Sequence, residues 1–504
     1  MSRLQLLLSL IHPGGQTSRP SADCLGGLAA AVTLAVSIAL VLAGCSTPIV
    51  KPVVDLPGKF AATTASGMEP EVAWWEAFKD PVLSDLVRRA MRDNRDIKIA
   101  SERLCAARAG ESISRSWLFP SVSGSASGTD RSSGYDTATK AGYPDTKTAS
   151  VGLDVSWELD LSGRLRAGAS AAQAQALAAE HSVRGVRLLV MSDVASNYFT
   201  LVGAQRQVDT LRAMSAMQDE TLRLVTARQR VGLATVFDVE RAEADAASAR
   251  GQIPPLETLA AVARHRLAVL IGDQAFNAAA IVPSRGDVVV PQPQPGQPAT
   301  LLERRPDVLE LMAQLDAANA RRQQAAAEWF PRLFLGASYG SQGLELNGVG
   351  LGAARYTNVT GLLTMPLFNA GRTRAINEVA ESGQREALLR TEDGIARALE
   401  DVENSLVSLS QERRRSASLQ SAVVAADSAL GRAQSLYDRG QIDLLPLLDA
   451  HRVRLTMRLN ANDSNTRLLL DSVQLYKALG GGWQVFESAP PADTATAGAV
   501  RPLS

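Results

Sequence analysis

The stretch VSWELDLSGRLRAGASAAQAQALA, residues 155–178, changes its periodicity half-way along. Up to Leu161 the apolar residues occupy every second position, which is the pattern of a β-strand with one apolar and one polar face. After Gly163 the chain is rich in alanine, with charged and amide residues at helical spacing. The stretch therefore predicts a two-faced strand that passes through one tight turn into a helix.

The same change of pattern occurs a second time, in LTMPLFNAGRTRAINEVAESGQ at residues 363–384. Other markers are repeated as well. Offsets of 208 or 211 residues superpose four pairs: Gly163 on Gly371, Gly232 on Gly440, Phe119-Pro120 on Phe330-Pro331, and Asp96 on Asp307. Markers that keep their order in this way indicate two copies of one structural unit. The chain is therefore predicted to be a tandem duplication.

Each copy reads as a helix, a Phe-Pro step, two strands joined by a loop, a Gly-Arg step and a long helix. Proline ends the first helix and starts an extended segment. Alternation places the strands at about 121–132, 150–161, 332–342 and 356–368. The connecting stretches between the strands are TDRSSGYDTATKAGYPDTKTA and SQGLELNGVGLGAARY. They are rich in Gly, Ser, Asp and Asn, and we predict that they form the loops of extracellular hairpins.

Four strands of about ten residues, each with one apolar and one polar face, have the build of transmembrane β-strands. The same alternation also fits a soluble β-sandwich, and the strands alone leave that alternative open. In lipid, the edge amides of four strands would stay unpaired at a cost of several kcal/mol per group, and natural barrels start at about eight strands. A membrane sheet therefore requires two, three or four chains that each contribute four strands.

The helices predicted after each Gly-Arg step are very long, because proline is absent from residues 145–253 and 367–445. A helix from Arg166 to Arg230 would measure roughly 100 Å at 1.5 Å per residue. Helices of globular domains average about 11 residues, so such lengths require coiled-coil packing. A solvated polar face on these helices would mark either a rod or the lining of a water-filled tube.

The N-terminus has the build of a secretion signal, with an apolar run over residues 25–43 that ends in Leu42-Ala43-Gly44-Cys45. This tetrapeptide resembles the bacterial lipobox, in which the cysteine becomes the lipidated first residue of the mature chain. Ser46 after it is typical of an outer-membrane destination. A transmembrane anchor of about 20 residues is the alternative. Cys24 would leave with the signal, and Cys105 is expected to be a small buried helix residue without a disulfide partner.

The composition argues against several function classes. Lys and Arg together number 52, as do Asp and Glu, and no basic block stands out, so nucleic-acid binding is not expected. The four histidines are isolated, and metalloprotease, CxxC and P-loop spacings do not occur. His181 and His451 lie among charged helical residues and are expected to be solvated. We therefore expect no metal, no cofactor and no enzymatic activity.

Five segments together carry a family resemblance: WWEAFKDPVLSDLVRRAMRDNRDIKIASERLCAARA, SWELDLSGRLRAG, LLERRPDVLELMAQLDAANA, FPRLFLGASYG and LYKALGGGW. They resemble the outer membrane efflux protein family, which is TolC-like, and within it the lipoprotein branch that serves resistance-nodulation-division (RND) pumps. The resemblance covers nearly all of residues 74–483. It implies a membrane α+β fold, in which a homotrimer forms a 12-stranded outer-membrane β-barrel continued by a long α-helical barrel in the periplasm. It also implies docking to a periplasmic adaptor and an inner-membrane RND transporter.

The resemblance further implies a gate at the periplasmic end, in YDRGQIDLLPLLDAHR. Asp449 matches the family's ring of acids and Leu445 its apolar constriction, with Asp443 and Arg439 in the same segment. Three Asp449 side chains around an axis would repel one another and attract cations. Two residues depart from the family pattern. Pro446 is expected to break the helix locally, and Asp438 stands where some members have arginine.

The matching turns of the two copies, at Gly232 and Gly440, are the positions that the adaptor would contact. The function implied is passive conduction of small amphipathic compounds, such as drugs and detergents, from pump and adaptor to the outside. A duct for type I protein secretion is one alternative, and a structural trimeric lipoprotein without conduction is another. Sensitivity of a deletion strain to dyes, detergents or antibiotics would distinguish an export duct from a structural protein.

The predicted organisation has six parts. They are a signal peptide (1–44), a lipidated linker (45–73), the first structural repeat (74–290), a Pro/Gln-rich linker (291–300), the second structural repeat (301–483) and a disordered C-terminal tail (484–504).

Overall fold

The computed structural model of the chain describes residues 48–61, 72–136, 138–273, 275–284, 288–291, 293 and 295–487. The predicted signal peptide and Cys45 lie outside the described residues. So do residues 488–504, which make up most of the predicted tail. Trp483–Phe486 form a 3-10 helix, so the first residues of that predicted tail are part of the fold.

Eight helices and several short helical turns make up most of the described structure. The helices are α1 (Pro81–Asp93), α2 (Arg95–Ser116), α3 (Arg164–Arg230), α4 (Val236–Gly251), α5 (Ile253–Leu270), α6 (Pro306–Ala326), α7 (Arg372–Asp438) and α8 (Leu444–Ala478). The two longest, α3 and α7, have 67 residues each, which confirms the long helices predicted after both Gly-Arg steps. None of the helices within the described residues combines the length and the apolarity that crossing a lipid bilayer would require.

The chain enters α3 and α7 through glycines in the left-handed conformation, Gly163 at φ 77° and Gly371 at φ 86°. A residue with a Cβ is strained there, which explains why both junctions carry glycine. At the first junction the carboxylate of Asp160 accepts hydrogen bonds from the backbone N–H groups of Leu165 and Arg166 (3.1 and 2.9 Å). These are two of the N–H groups that a helix start leaves without partners. The sequence pattern at each junction thus has a direct structural cause.

Four strands form one antiparallel sheet in chain order: β1 (Ser121–Arg131), β2 (Thr146–Leu159), β3 (Arg332–Leu346) and β4 (Val349–Thr364). The second predicted connection is a hairpin, but its loop is much shorter than predicted, because most of residues 341–356 belong to β3 and β4. The two strands are joined by a two-residue turn, Asn347-Gly348, with both residues at positive φ. Asn-Gly is the sequence that this type of hairpin turn favours.

The register places apolar residues of all four strands in one row across the sheet. Val155 of β2 lies between Val122 of β1 and Ala337 of β3, and Ala337 lies opposite Val359 of β4. Val122 and Val359 are 67% and 78% exposed in the single chain. The outer edges of β1 and β4 pair with no other described strand. The sheet is therefore open, as the strand count predicted.

The helices next to the sheet form a layer in the same order as the strands. In this layer α2 packs on α3, α3 on α6, and α6 on α7. Since α2 leads into β1 and β4 leads into α7, the two edges of the helical layer continue the two edges of the sheet. Below this layer α4 and α5 pack on α3, and α8 packs on α7 and α3.

An aromatic core lies where the short helices meet α3 and α8. Trp74 stacks on Tyr476 with ring centres 5.4 Å apart, Trp75 stacks on Phe486 at the same distance, and Phe78 contacts Phe199 at 4.7 Å. The start of the first repeat and the end of the second thus close one core, which joins the two copies.

The N-terminal strap, residues 48–61, lies against α6 and α7. The backbone of Val50 forms two hydrogen bonds with the amide of Asn319 (3.2 and 3.0 Å), and Gln384 donates to the carbonyl of Pro48 (3.2 Å). Phe60, which is 1% exposed, packs with apolar residues of α7 and α8. The strap holds the start of the described chain close to the helices that lead to the sheet.

Candidate functional site

The end of the molecule farthest from the sheet consists of two helical hairpins. The first hairpin joins α3 to α4 through residues 231–235, and the second joins α7 to α8 through residues 439–443. Each turn contains a glycine at positive φ, Gly232 at 77° and Gly440 at 71°, whose N–H donates to a carbonyl of the preceding helix. This is the ordinary way in which a helix ends at glycine. Both predicted turns therefore exist at corresponding places in the two copies.

The two hairpins differ in how their second helix begins. At α4 the hydroxyl of Thr235 accepts from the N–H of Asp238 (3.1 Å), and the Asp238 carboxylate accepts from the N–H of Thr235 (2.8 Å), which is a capping box. Hydrogen bonds from Thr235 lower the pKa of Asp238. The corresponding residues of the second copy, 208 positions on, are Asp443 and Pro446, and Asp443 forms no side-chain cap. Pro446 has no backbone N–H that could donate to residue 443, and it has no side-chain carboxylate that could accept from the N–H of residue 443.

The prediction that Pro446 breaks the helix is wrong, because Pro446 occupies the third position of α8. The first turn of a helix has no intrahelical partners for its N–H groups, so a proline there removes no helical hydrogen bond. The consequence is a loss of capping at the start of α8 and not a kink.

We predict that restoring the capping box will stabilise the start of α8. The double change Asp443→Thr with Pro446→Asp should add about 1 kcal/mol, and Thr235→Ala should remove about 1 kcal/mol from the start of α4. Hydrogen exchange of residues 444–448 and 236–240 measures both effects locally. Pro446→Ala alone supplies no cap and is the control. Equal protection in the control and the double variant would contradict the capping explanation.

The four predicted gate residues lie in and next to the second hairpin. Leu445 and Asp449, four residues apart on α8, share its exposed face, while Leu444, Leu447 and Leu448 point into the core. Asp443 and Arg439 are exposed in the turn. The carboxylate of Asp449 lies 2.5 Å from the guanidinium of Arg452 on the same face. The structure thus places Leu445 and Asp449 together on one surface. It also places the basic residue Arg452 beside them, which the sequence alone did not single out.

The two hairpins pack against each other through a small apolar cluster. Its buried members are Val225 of α3, Leu430 and Tyr437 of α7, and Leu444, Leu447 and Leu448 of α8. The guanidinium of Arg228 lies 4.7 Å from the centre of the Tyr437 ring, which is a cation–π contact between the first hairpin and the second. These contacts oppose separation of the second hairpin from the first.

Further from the turns, an ionic triad joins α7 to α8. Asp427 accepts from Arg454 (2.6 Å) and Arg458 (2.7 Å), and Arg454 also contacts the sulfur of Met214 on α3 (3.1 Å). The hydrogen bond from Arg458 is the main reason that the pKa of Asp427 is lowered. Because its members are 27 and 31 residues apart in sequence, no local motif indicated this triad.

His451 is buried between the hairpins, so the prediction that it is solvated is wrong. It is 2% exposed, and within the described residues neither ring nitrogen has a hydrogen-bond partner. Burial, with Arg454 nearby, lowers the pKa of His451. His181, 8% exposed, is buried as well, whereas Cys105, expected to be buried, is exposed in the single chain. Within the described residues no group of His, Cys, Asp and Glu side chains could hold a metal ion.

A sequence model of the outer membrane efflux protein family matches residues 86–273 and 298–481, one segment in each copy. The chain belongs to the outer membrane efflux protein family. It is 29% identical over 459 residues to outer membrane protein OprJ of Pseudomonas aeruginosa, an alignment that covers 89% of this chain and 95% of OprJ. It is 28% identical over 466 residues to the probable outer membrane lipoprotein SilC of Salmonella typhimurium, covering 89% and 98% of the two chains.

The fold agrees with solved channels of this family. The open state of the MtrE outer membrane channel of Neisseria gonorrhoeae superposes with a TM-score of 0.77 at 26% identity, covering 87% of this chain and 99% of MtrE. As a member of the outer membrane efflux protein family, the protein is an outer-membrane channel component of an efflux system. It works as a homotrimer with a periplasmic adaptor and an inner-membrane RND transporter. Three open four-stranded sheets supply the 12 strands of the predicted barrel.

Proposed function

We propose that the second hairpin is the periplasmic gate of this channel and that Leu445 and Asp449 form its constriction. The observation that carries the proposal is their shared exposed face on α8, at the end of the molecule farthest from the sheet. Three copies of Leu445 would exclude water and ions when close together, and three copies of Asp449 would attract cations. Arg452 beside Asp449 reduces that attraction in the single chain.

A conductance measurement on the trimer in a planar bilayer tests this proposal. Mg²⁺ on the periplasmic side should block the channel, and Asp449→Asn should weaken the block about tenfold, since each lost carboxylate removes an interaction of more than 1 kcal/mol with the ion. Arg452→Gln should strengthen the block. Asp438→Asn changes an equally exposed acid of the same hairpin outside the constriction and should leave the block unchanged. A block insensitive to Asp449 would place the constriction elsewhere.

The exposed turns around Gly232 and Gly440 are the proposed contacts for the adaptor. The first turn is the more apolar: Val231, Leu233, Val236 and Phe237 are each 59–72% exposed. Single apolar residues at a surface are ordinary, but four together on one tip are typical of a protein contact. The first hairpin is also the one whose second helix begins with a capping box, so it offers the adaptor the more firmly capped turn.

Cys45 is the proposed lipid attachment site. Support comes from the lipobox-like tetrapeptide before it and from the similarity to SilC, described as a probable outer membrane lipoprotein. The strap begins three residues later, at Pro48, bound to α7. Mass spectrometry of the mature N-terminus, with Cys45→Ala as the control, tests the attachment.

The cargo proposed for the channel is small amphipathic compounds. Deletion of the gene should increase sensitivity to dyes, detergents and antibiotics, and returning the unaltered gene should restore resistance. If deletion instead abolished export of one secreted protein and left drug sensitivity unchanged, the type I secretion alternative would replace this proposal. An unchanged phenotype in both assays would support a structural role.

A further inference from the structure

Arg355 of β4 lies on the apolar face of the sheet, where a charged side chain is unexpected. The register places Arg355 opposite Ser341 of β3, and Ser341 opposite Val151 of β2. Because side chains alternate along a strand, Arg355 points the same way as Val359 and Leu363, which are 78% and 64% exposed. In an outer-membrane barrel the apolar face contacts lipid and the polar face lines the passage. Arg355 therefore faces the lipid.

The side chain of Arg355 has no hydrogen-bond or ion-pair partner among the described residues. Other charged residues of this face form a row across the extracellular end of the sheet: Asp130, Lys147 and Glu345. In this charged row the Lys147 ammonium lies 3.5 Å from the carboxylate of Asp130. A cation on the lipid face without a counter-charge destabilises a barrel, most strongly at the middle of the bilayer. A partner for Arg355 must therefore come from outside its own subunit.

The depth of Arg355 in the membrane follows from its distance to the two ends of the apolar face. Exposed aromatic residues, which favour the membrane–water interface, flank the periplasmic end: Trp117, Phe119 and Phe368. Arg355 is eight residues from Leu363 at that end, or about 20 Å along the membrane normal for strands tilted by about 40°. Val151, in the same row as Arg355, is four residues from the charged row, or about 10 Å. The guanidinium, on its flexible stem, therefore reaches the headgroups of the outer leaflet.

A groove of about 550 Å³ lies on the same face beside Arg355. Its lining combines small residues with larger apolar ones: Gly124, Ala126, Ser341, Val151, Leu153 and Tyr339. The three larger side chains are each 55–61% exposed in the single chain. An alkyl chain in this groove would gain close contacts along its length. The described residues that line the groove include no carboxylate, so none of them would repel a phosphate beside Arg355.

We propose that Arg355 and this groove bind lipid A, the phosphate-bearing glycolipid of the outer leaflet, once per subunit. The planar fork of the guanidinium matches two oxygens of a phosphate, and the hydroxyl of Ser341, directly opposite, donates to a third. An acyl chain of the same lipid fills the groove along Leu153 and Tyr339. The bound phosphate supplies the counter-charge that Arg355 lacks within its own subunit.

Lipid binding to the purified trimer tests the site. Lipid A is titrated into the detergent solution, and the lipids retained by each trimer are counted by native mass spectrometry. The Arg355→Gln trimer should bind lipid A about tenfold more weakly, since it loses a charge-assisted contact. Arg355→Lys keeps the charge without the planar fork and should give an intermediate loss. Lipid A without its phosphates should bind the unaltered trimer as weakly as lipid A binds the Arg355→Gln trimer.

A matched control and a second anionic lipid separate this site from general charge attraction. Arg131→Gln removes an exposed arginine on the polar face of the same sheet, opposite Thr146, and should leave lipid A binding unchanged. An equal loss in the Arg131→Gln and Arg355→Gln trimers, or no loss in either, would overturn the proposal. Tighter Arg355-dependent binding of phosphatidylglycerol than of lipid A would overturn the assignment to lipid A and give the site to a phospholipid.

The stability of the trimer gives an independent readout. In vesicles of phosphatidylcholine, which has no net charge, Arg355→Leu should raise the temperature at which the trimer dissociates, because an unpaired charge is removed from the lipid face. In vesicles that contain lipid A the same change should lower that temperature. A rise in both kinds of vesicle would contradict the site.

One further variant tests whether a neighbouring copy already supplies the anion. Asp130 lies on the apolar face of β1, the strand that meets β4 of the next copy when the barrel closes. Asp130→Asn should leave lipid A binding unchanged. A severalfold increase in binding would show that this carboxylate holds Arg355 in the assembled trimer, and the lipid site would then be wrong.

Discussion

Replacing Arg305 with methionine is expected to cost about 2 to 4 kcal/mol of stability and to prevent trimer assembly at growth temperature. The Arg305 side chain is 10% exposed and binds two carboxylates, Asp307 at 2.6 Å and Asp401 at 3.1 Å. It also donates to the carbonyls of Ala398 and Ala478 at 3.3 and 3.2 Å. One guanidinium thus joins the start of α6 to α7 and to the end of α8.

The magnitude follows from what the substitution leaves behind. The Ala478 carbonyl belongs to the last turn of α8, where helix carbonyls lack intrahelical partners, so losing its donor leaves it unsatisfied. Asp307 and Asp401 are 57% and 51% exposed, and water replaces part of what they lose. The expected cost is therefore at or below the range for breaking a fully buried ion pair.

Urea denaturation and trimer content in detergent measure this prediction. Arg305→Lys keeps the charge but not the planar fork of donors, and an intermediate loss is expected. Arg397→Met removes an arginine of α7 that is 74% exposed and paired with Asp393, and it should change stability by less than about 0.5 kcal/mol. Equal stability of the Arg305→Met and Arg397→Met chains would contradict the structural role of Arg305.

Acidification is expected to loosen the packing between the two hairpins through His451. Its imidazole is buried beside Arg454. Burial is the main cause that lowers the pKa of His451, and the positive charge of Arg454 lowers it further. The Oε1 atom of Gln218 on α3 is also buried and lacks a partner among the described residues. Pairs across α3 and α8, Thr210 with Asn462 and Met214 with Arg454, place Gln218 at about the level of His451.

The sign of the effect follows from the lowered pKa. The unfolded or separated hairpin binds a proton on His451 more readily than the packed one does, so packing is stabilised as the pH rises. This stability is fully present above the ordinary histidine pKa of about 6.5 and is lost as the pH falls from there towards the lower pKa of the packed state. Protonation would place a second cation beside Arg454 without a bonded carboxylate, since Asp427 is already shared by Arg454 and Arg458.

Conductance and local hydrogen exchange measure this effect. As the pH falls from about 7.5 to 5.5, which brackets the histidine pKa, the open fraction of the channel should rise severalfold. The protection of residues 444–456, expressed relative to the intrinsic exchange rate at each pH, should fall severalfold. His451→Leu should remove most of the pH dependence. His265→Leu should keep it, since this exposed histidine of α5 lies against Phe276 with ring centres 5.5 Å apart. A response unchanged by His451→Leu but lost in His265→Leu would contradict the assignment.

Much of the fold was predictable because its signals are local. The change of period at Gly163 and Gly371 predicts a strand that runs into a helix, and both glycines adopt the positive φ that such a tight entry needs. The strand count predicts an open sheet, because four strands cannot close a barrel. The Asn347-Gly348 turn was also a local signal, and reading the surrounding glycines as a loop was the error there.

The remaining features depend on residues that are distant in sequence. The partners of Arg305 come from three helices, and its carbonyl contacts are 93 and 173 residues away. Burial of His451 follows from packing of α8 between other helices, which the charged residues around it in sequence concealed. Exposure of Cys105 reflects the position of α2 at an edge of the helical layer, which the residues around Cys105 do not reveal. The Thr235-x-x-Asp238 capping box, by contrast, was a local motif that could have been found.

The two copies of this duplicated chain differ in how firmly the helix after each hairpin turn begins. In the first copy the helix after the turn begins with a capping box, and in the second copy it begins without a side-chain cap. In the gate proposed above, two side chains at the start of α8 would set how easily the entrance opens. Such an adjustment leaves the lining of the passage, and therefore what can travel through it, untouched.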